Sequence, residues 1–270
     1  ANDTPCLPHP NSMTTKSLQG QTAIVTGASR SDGIGAAICR CLSAAGANIF
    51  FTTWRPYDEA SYGSYDEKFP QGLAVELGRN GVRAGSLETD LGDPKAVGQL
   101  FDEVESRSGA AHLLINNACY CTNDSVETLS GAELDQHYAI NVRAPILLSA
   151  EFVRRFAGRG ARRIISMTSG QFCGPMPGTI AYASTKGAID AFTVTFAAEV
   201  GHLGITVNAV DPGPTDSGWM NEGIRAELVP RFGLGRIGLP ADAANLVGFL
   251  ASPQADWITG QVLHSRGGFV

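Results

Sequence analysis

The chain has 270 residues, 43% hydrophobic and 17% charged, with a formal net charge of −6. Its scattered basic residues argue against nucleic-acid binding, which needs a basic patch, and no apolar run reaches the length that crosses a membrane. The cysteines, Cys6, Cys39, Cys41, Cys119, Cys121 and Cys173, match no zinc spacing, and a chain of this length needs no disulfide scaffold, so packed thiols and no metal site are expected.

Residues 1–17 are expected to form a flexible leader. ANDTPCLPHPNS is proline-rich, lacks the charged-then-apolar layout of an export signal, and precedes Met13, a candidate native start. Cytoplasm is the default location. Beyond the leader, strands alternate with helices almost to the end, which predicts one α/β domain over residues 18–270.

The first strand, Gln21 to Thr26, runs into TGASRSDGIG and then a helix, AAICRCLSAAG. Strand, glycine-rich turn and helix form a phosphate site: the glycines admit a pyrophosphate close to the backbone, and the helix N-terminus supplies amide donors. The second strand, Asn48 to Thr53, is followed by Trp54 and Arg55, with no carboxylate at its end. An acid there selects the ribose hydroxyl of NAD, so its absence, with Arg30 and Arg55 nearby, favours NADP(H) over NAD(H). Residues 56–70 are a long polar, aromatic-rich connection: a flap over the adenine side, an oligomer contact or a mobile surface loop.

A helix is predicted over Gln71 to Asn80 and a third strand over Val82 to Thr89, ending in Asp90 and Leu91. The fourth strand, His112 to Ile115, ends in Asn116-Asn117-Ala118-Cys119. A long helix from about Gly131 to Phe156 carries Asn141, and Pro145 is expected to kink it. A buried strand, RRIISMTSG, leads to Ser169. Phe172, Met176 and nearby prolines are expected to wall an apolar substrate pocket. Tyr182 and Lys186 then open the helix AYASTKGAIDAFTVTFAAEV, four residues apart and so on one face. A free phenol has a pKa of about 10, and a lysine cation one turn away is expected to bring it toward working pH. The sixth strand, Gly204 to Val210, leads to DPGPTDSGW; residues 216–238 are expected to be a substrate lid. A final helix at Ala241 to Ala251 and a strand at Ile258 to Leu263 close the domain.

Ser169 followed by Tyr182-x-x-x-Lys186, with the glycine loop, NNAC and DPGP in this order, resembles the short-chain dehydrogenases/reductases from about Leu18 to Phe269. The resemblance implies a doubly wound Rossmann fold, a seven-stranded parallel sheet ordered 3-2-1-4-5-6-7 with helices on both faces. It implies hydride transfer between a nicotinamide and a carbonyl or secondary alcohol. Tyr182 would be the proton donor, Lys186 its tuning partner and a ligand of the nicotinamide ribose, Ser169 the partner of the substrate oxygen, and Asn141 the holder of a relay water. Gly27, Ser29, Gly33, Ile34 and Gly35 would cradle the pyrophosphate, and Arg30 with Arg55 would clamp a 2′-phosphate. Thr53, Arg55, Asp90 and Leu91 would meet the adenosine. Asn117, Ala118, Pro212, Gly213, Thr215 and Ser217 would line the nicotinamide side, with Cys119 and Tyr120 beside it.

The chain departs from the family pattern at three places. The glycine loop is two residues longer, Cys119 replaces a glycine, and Arg266 replaces an acid in SRGG, which puts a salt bridge or subunit contact in doubt. Within the family the chain looks most like the 3-oxoacyl-[acyl-carrier-protein] reductases. The alternatives are a ketoreductase or alcohol dehydrogenase acting on a small or secondary-metabolite substrate, and a non-catalytic nucleotide-binding regulator. The resemblance also implies a homotetramer built through the helices that hold Asn141 and Tyr182.

Overall fold

A computed structural model of the chain describes residues 16–158 and 160–270. Cys6, Met13 and the leader up to residue 15 lie outside the described residues. Seven strands form one parallel sheet in the order β3-β2-β1-β4-β5-β6-β7: β1 (Thr22–Val25), β2 (Asn48–Thr53), β3 (Ala84–Glu88), β4 (Leu113–Asn116), β5 (Arg162–Met167), β6 (Ile205–Asp211) and β7 (Val262–His264). The expected fold class and strand order are both observed. Strands β1, β4, β5 and β6 are buried along their whole length, as parallel strands covered on both faces must be.

Helices cover the two faces. On one side α1 (Ile34–Ala44), α3 (Phe69–Gly78) and α9 (Pro240–Ala251) pack through Ile38, Leu42, Leu73, Leu77 and Val247 against Val25, Phe51 and Ile115. On the other, α4 (Ala96–Ser108), α6 (Ala144–Phe156) and α7 (Ile180–Val200) bury Phe101, Phe152, Phe156 and Val200 against Ile24, Leu114 and Ile164. The thiols expected to be packed include Cys39, which is fully buried, and Cys41, whose sulfur lies 2.7 Å from where a Cβ on Gly248 would stand. A side chain on Gly248 would therefore separate α1 from α9.

Three segments differ from the sequence reading. The connection after β2 is not all loop: its first half is the helix α2 (Arg55–Tyr62), started by Pro56 in the first turn and ended by Gly63 at φ 72°. The long helix is α5 (Gly131–Tyr138), a π turn over Ala139–Arg143, and α6. Ala144 donates to the Ala139 carbonyl in that widened turn, immediately before Pro145, which has no N–H to give. The expected disturbance at Pro145 thus takes the form of a π turn. The segment after β6 holds a short helix, α8 (Glu222–Leu228), and a small core of its own in which Met220, Phe232 and Ile237 pack with Ile224, Leu228 and Phe269.

Candidate active site

The crevice lies where the strand order reverses, between β1 and β4, at the carboxyl ends of the strands. Gly27 has φ 72°, and a Cβ there would stand 2.7 Å from the Ala118 Cα. A Cβ on Gly35 would meet the Gly27 carbonyl and, at 2.7 Å, the Asn117 Nδ2. The β1 and β4 loops are therefore in backbone contact, and only glycine fits at both places. Asn117 ties them, donating from Nδ2 to the carbonyls of Thr26 and Gly27 at 2.9 Å each. The Thr26 hydroxyl accepts from the amides of Asn117 and Ala118 at 3.0 Å. Gly33 begins α1 without a side-chain cap, and no acid stands in the first turn with Ile34 and Gly35. The positive end of the helix is left for an anion. This cradle fits a dinucleotide pyrophosphate.

The two inserted loop residues have a structural task. Arg30 donates to the Ser217 carbonyl at 2.7 Å, pairs with Asp32 at 3.6 Å and Asp58 at 3.7 Å, and stacks 3.5 Å from the Tyr62 ring centroid. Asp32 and Arg30 both press against Gly218, whose φ is 90°. The lengthened loop thus grips the start of the 216–238 segment. Arg30 is built into the wall of the crevice. Arg55 differs: its partners Glu67 at 3.0 Å and Glu88 at 3.9 Å are exposed, and such pairs contribute about 0–1 kcal/mol, so a phosphate can replace them at little cost.

Thr53 is buried and its hydroxyl bonds Tyr65. The Ser29 hydroxyl accepts from the Trp54 amide at 3.2 Å and donates to Asp58, a buried carboxyl whose pKa burial raises. The Asp90 carboxylate accepts from the Gly92 amide at 2.8 Å in a local turn. The Leu91 side chain packs in the core with Phe50 and Val97, so any contact from it to an adenosine is confined to its backbone.

Helix α2 starts at the end of β2, and Tyr57 reaches Tyr120, beyond β4, with ring centroids 5.7 Å apart. In this strand order α2 passes above the end of β1 and roofs the crevice. A cavity of ≈ 610 Å³ opens between α2, the glycine loop and the lid segment, lined by Ser29, Arg30, Asp32, Tyr62, Tyr65 and Trp219. Tyr57, Asp58 and Tyr62 were not singled out from sequence; a polar connection longer than usual was the only signal.

Ser169, Tyr182, Lys186 and Asn141 converge on the β5 side of this crevice. Ser169 hydrogen-bonds the Tyr182 phenol, which burial drives well above its ordinary value; Cys119, Cys121 and Asp211 add to the rise, and the Ser169 bond opposes it. The buried Lys186 ammonium donates to the Met167 carbonyl at 2.9 Å and stands 5.5 Å from the Tyr182 ring centroid. Tyr182 is held as a neutral phenol, the form that donates a proton. Asn141 lies in the π turn with its amide fully engaged: Oδ1 accepts from the Tyr120 amide and Nδ2 donates to the Tyr120 carbonyl, both at 2.8 Å. Nδ2 also reaches the Thr185 hydroxyl at 3.1 Å. The Asn141 amide pins the β4 loop to α7.

On the far wall Asp211 is fully buried and accepts from the Gly213 amide at 2.8 Å. His264 Nδ1 lies 2.9 Å and Arg266 Nε 3.5 Å from its other oxygen. Arg266, which departs from the family's acid, finds its counter-ion within the chain. Cys173 Sγ lies 3.7 Å from the same His264 nitrogen. The three could surround a cation, but Arg266 already faces the carboxylate they would share. The Thr215 hydroxyl donates to the Gly213 carbonyl at 3.1 Å and to Pro212 at 3.3 Å, and Trp219 donates to the Thr215 carbonyl at 2.8 Å. Phe172 and Trp219 are exposed at the mouth, and Met176 lies beside Ser169. Among the described residues Ser169, Tyr182, Lys186 and Asn141 are brought to one end of the crevice.

Comparisons with known proteins agree with this geometry. The family described as Enoyl-(Acyl carrier protein) reductase matches residues 27–270. The chain is 48% identical over 254 residues to an uncharacterized oxidoreductase, YjdA, of Bacillus subtilis, covering 93% of this chain and 98% of that one. A short chain dehydrogenase from Burkholderia cenocepacia in complex with NADP superposes with a TM-score of 0.82 at 32% identity, over 93% of this chain and 98% of that one. The angucycline C-6 ketoreductase LanV with bound NADP gives 0.82 at 31% identity, over 93% and 96%. With these likenesses spanning nearly its whole length, the chain belongs to the short-chain dehydrogenase/reductase family and is a nicotinamide-dependent oxidoreductase.

Proposed function

We propose that the protein reduces a ketone to a secondary alcohol with NADPH. The observation that carries this reading is the meeting of the Tyr182 phenol with the Ser169 hydroxyl and the Lys186 ammonium at the open end of a dinucleotide cradle. A bound nicotinamide supplies the hydride. Gly27, Ser29, Gly33, Ile34 and Gly35 would hold its pyrophosphate, Arg55 and Thr53 its adenosine side, and Asn117, Ala118, Pro212, Gly213, Thr215 and Ser217 its nicotinamide side. Ser169 donates a hydrogen bond to the carbonyl oxygen and meets the charge that develops there. Tyr182 transfers its proton to that oxygen. Lys186, anchored on Met167, has further N–H groups for the ribose hydroxyls and favours the phenolate left after transfer.

Exposed Phe172 and Trp219 at the mouth, together with the likeness to LanV, support a flat apolar ketone of the secondary-metabolite kind. A 3-oxoacyl-[acyl-carrier-protein] substrate is the second reading, supported by the description of the matching family. A homotetramer through α5–α6 and α7 is part of the proposal: Leu134, Tyr138 and Val194 are exposed on those helices, and Phe192 stacks on Phe196. Light scattering would read the mass directly. No helix among the described residues is long and apolar enough to cross a membrane.

The test is titration with NADPH and NADH by nicotinamide fluorescence, followed by acetoacetyl thioesters and by polycyclic and small ketones. NADPH binding with ketone-dependent oxidation is expected. Faster turnover of the carrier-bound thioester than of free ketones would move the second reading ahead. Binding without turnover on any carbonyl would make the protein a nucleotide-binding regulator.

A further inference from the structure

We infer that Asp124 is a positioning residue for Tyr182, acting as a long-range cap of α7; the inference rests on the catalytic reading above. The first amides of an α-helix have no partner within the helix. In α7 the first intrahelical bond of this turn is Ala183 N–H to the Thr179 carbonyl, which leaves Ile180 and Ala181 to be satisfied from elsewhere. Thr179, at the N-cap, does not cap with its side chain; its hydroxyl donates to the Met176 carbonyl at 3.0 Å. No acid stands in the first turn.

The missing acceptor comes from the loop after β4. Asp124 takes the Ile180 amide on Oδ1 and the Ala181 amide on Oδ2, the latter at 2.8 Å. Its own amide donates to the Gly178 carbonyl at 2.9 Å, so the carboxylate is held from its backbone as well. Asp124 is 5% exposed, and no ion pair reaches it among the described residues. Its charge is therefore balanced by the helix end and its amides.

Tyr182 is the next residue after Ala181. The same loop begins with Cys119, Tyr120 and Cys121; Tyr120 is bound through its backbone to Asn141. Asp124 and Asn141 thus clamp the β4 loop to α7 at two points, Ile180 and Ala181 just before Tyr182 and Thr185 between Tyr182 and Lys186. Releasing the Asp124 point lets the first turn of α7 fray and the phenol drift. A shift of 1 Å in a reacting group costs on the order of a hundredfold in rate.

The test compares Asp124→Ala and Asp124→Asn with wild type and with Tyr182→Phe. Asp124→Ala is expected to lower kcat by about tenfold to a hundredfold, with NADPH affinity within about twofold. Asp124→Asn, which keeps one acceptor oxygen, is expected to fall between. Adding Asp124→Ala to Tyr182→Phe is expected to cost nothing further, because both act through one group. Hydrogen exchange at the Ile180 and Ala181 amides is expected to quicken in Asp124→Ala while α9 is unchanged. An unaltered kcat, a loss additive with Tyr182→Phe, or faster exchange throughout the chain would overturn the inference. The exchange comparison needs no turnover: if wild type failed to oxidise NADPH with every carbonyl tried, the catalytic reading would fail on that result, and unchanged exchange at Ile180 and Ala181 would by itself overturn the cap.

Discussion

Lys186 lies one turn below Tyr182 on α7, yet its ammonium is bound to the Met167 carbonyl 2.9 Å away and sits 5.5 Å from the phenol ring centroid. The pair is therefore not a simple contact in which the cation pulls the phenol down. Burial sets the phenol high, and the lysine is held by the end of β5. This arrangement suits an acid that starts each turnover protonated, and it shapes what substitutions and pH will do.

Tyr182→Phe removes the proton donor and leaves the cradle untouched. Turnover is expected to fall by about 10²–10⁴-fold, with NADPH affinity within about twofold. Fluorescence titration beside steady-state kinetics reads both, and retained turnover would sink the assignment.

The raised phenol predicts an asymmetric pH dependence. Reduction uses the neutral form, so its kcat is expected to stay level through neutrality and decline only above about pH 10, the ordinary value of a phenol. Oxidation of the product alcohol needs the phenolate and is expected to rise with pH. The sign for stability follows: the folded pKa lies above the unfolded one, so the contribution is full below about pH 10 and is lost as pH rises through the folded value. Rate profiles in both directions and thermal melts across alkaline pH check this.

Arg30 and Arg55 are expected to separate. Arg55→Ala should weaken NADPH by about tenfold, as loss of a charge-assisted phosphate contact does, and leave NADH nearly unchanged. Arg30→Ala breaks the tie to Ser217 and the stack on Tyr62, so it should weaken both cofactors alike and expose the 216–238 segment to protease. Dissociation constants for the two cofactors decide it. Equal losses from Arg55→Ala would remove it from the phosphate site.

Gly27→Ala places a Cβ against the Ala118 Cα at a backbone angle of φ 72°. The left-handed conformation costs roughly 1–2 kcal/mol for a residue with a side chain, before the clash is counted. A melting point several degrees lower and a loss of nicotinamide binding are expected; unchanged binding would show that the β1 and β4 loops need not touch.

Much of the fold was legible because parallel sheets declare themselves. IISM in β5, with both faces covered, has to be apolar, and a helix pattern after each strand leaves one way to wind the chain. Tyr182 and Lys186 were legible as neighbours for a similar reason: they are joined by one turn of helix, a distance the chain sets locally. Connections were read less well. Residues 55–62 carry too little hydrophobic signal to announce a helix, and α2 is stabilised by Tyr57 on Tyr120 and Arg30 on Tyr62, contacts between segments far apart in the chain.

What the sequence by itself determined is the order of elements and the placing of Tyr182 and Lys186 on one helix face, because periodicity and short spacings act within a few residues. What only the tertiary structure decided is the state of those groups. Burial raises the Tyr182 phenol and the charges of Cys119, Cys121 and Asp211 add to the rise, Arg30 is retained by Asp58 and Ser217, and α7 is capped by Asp124 from 57 residues away. Desolvation and hydrogen bonding act through space, and no local pattern records which distant segment will supply them.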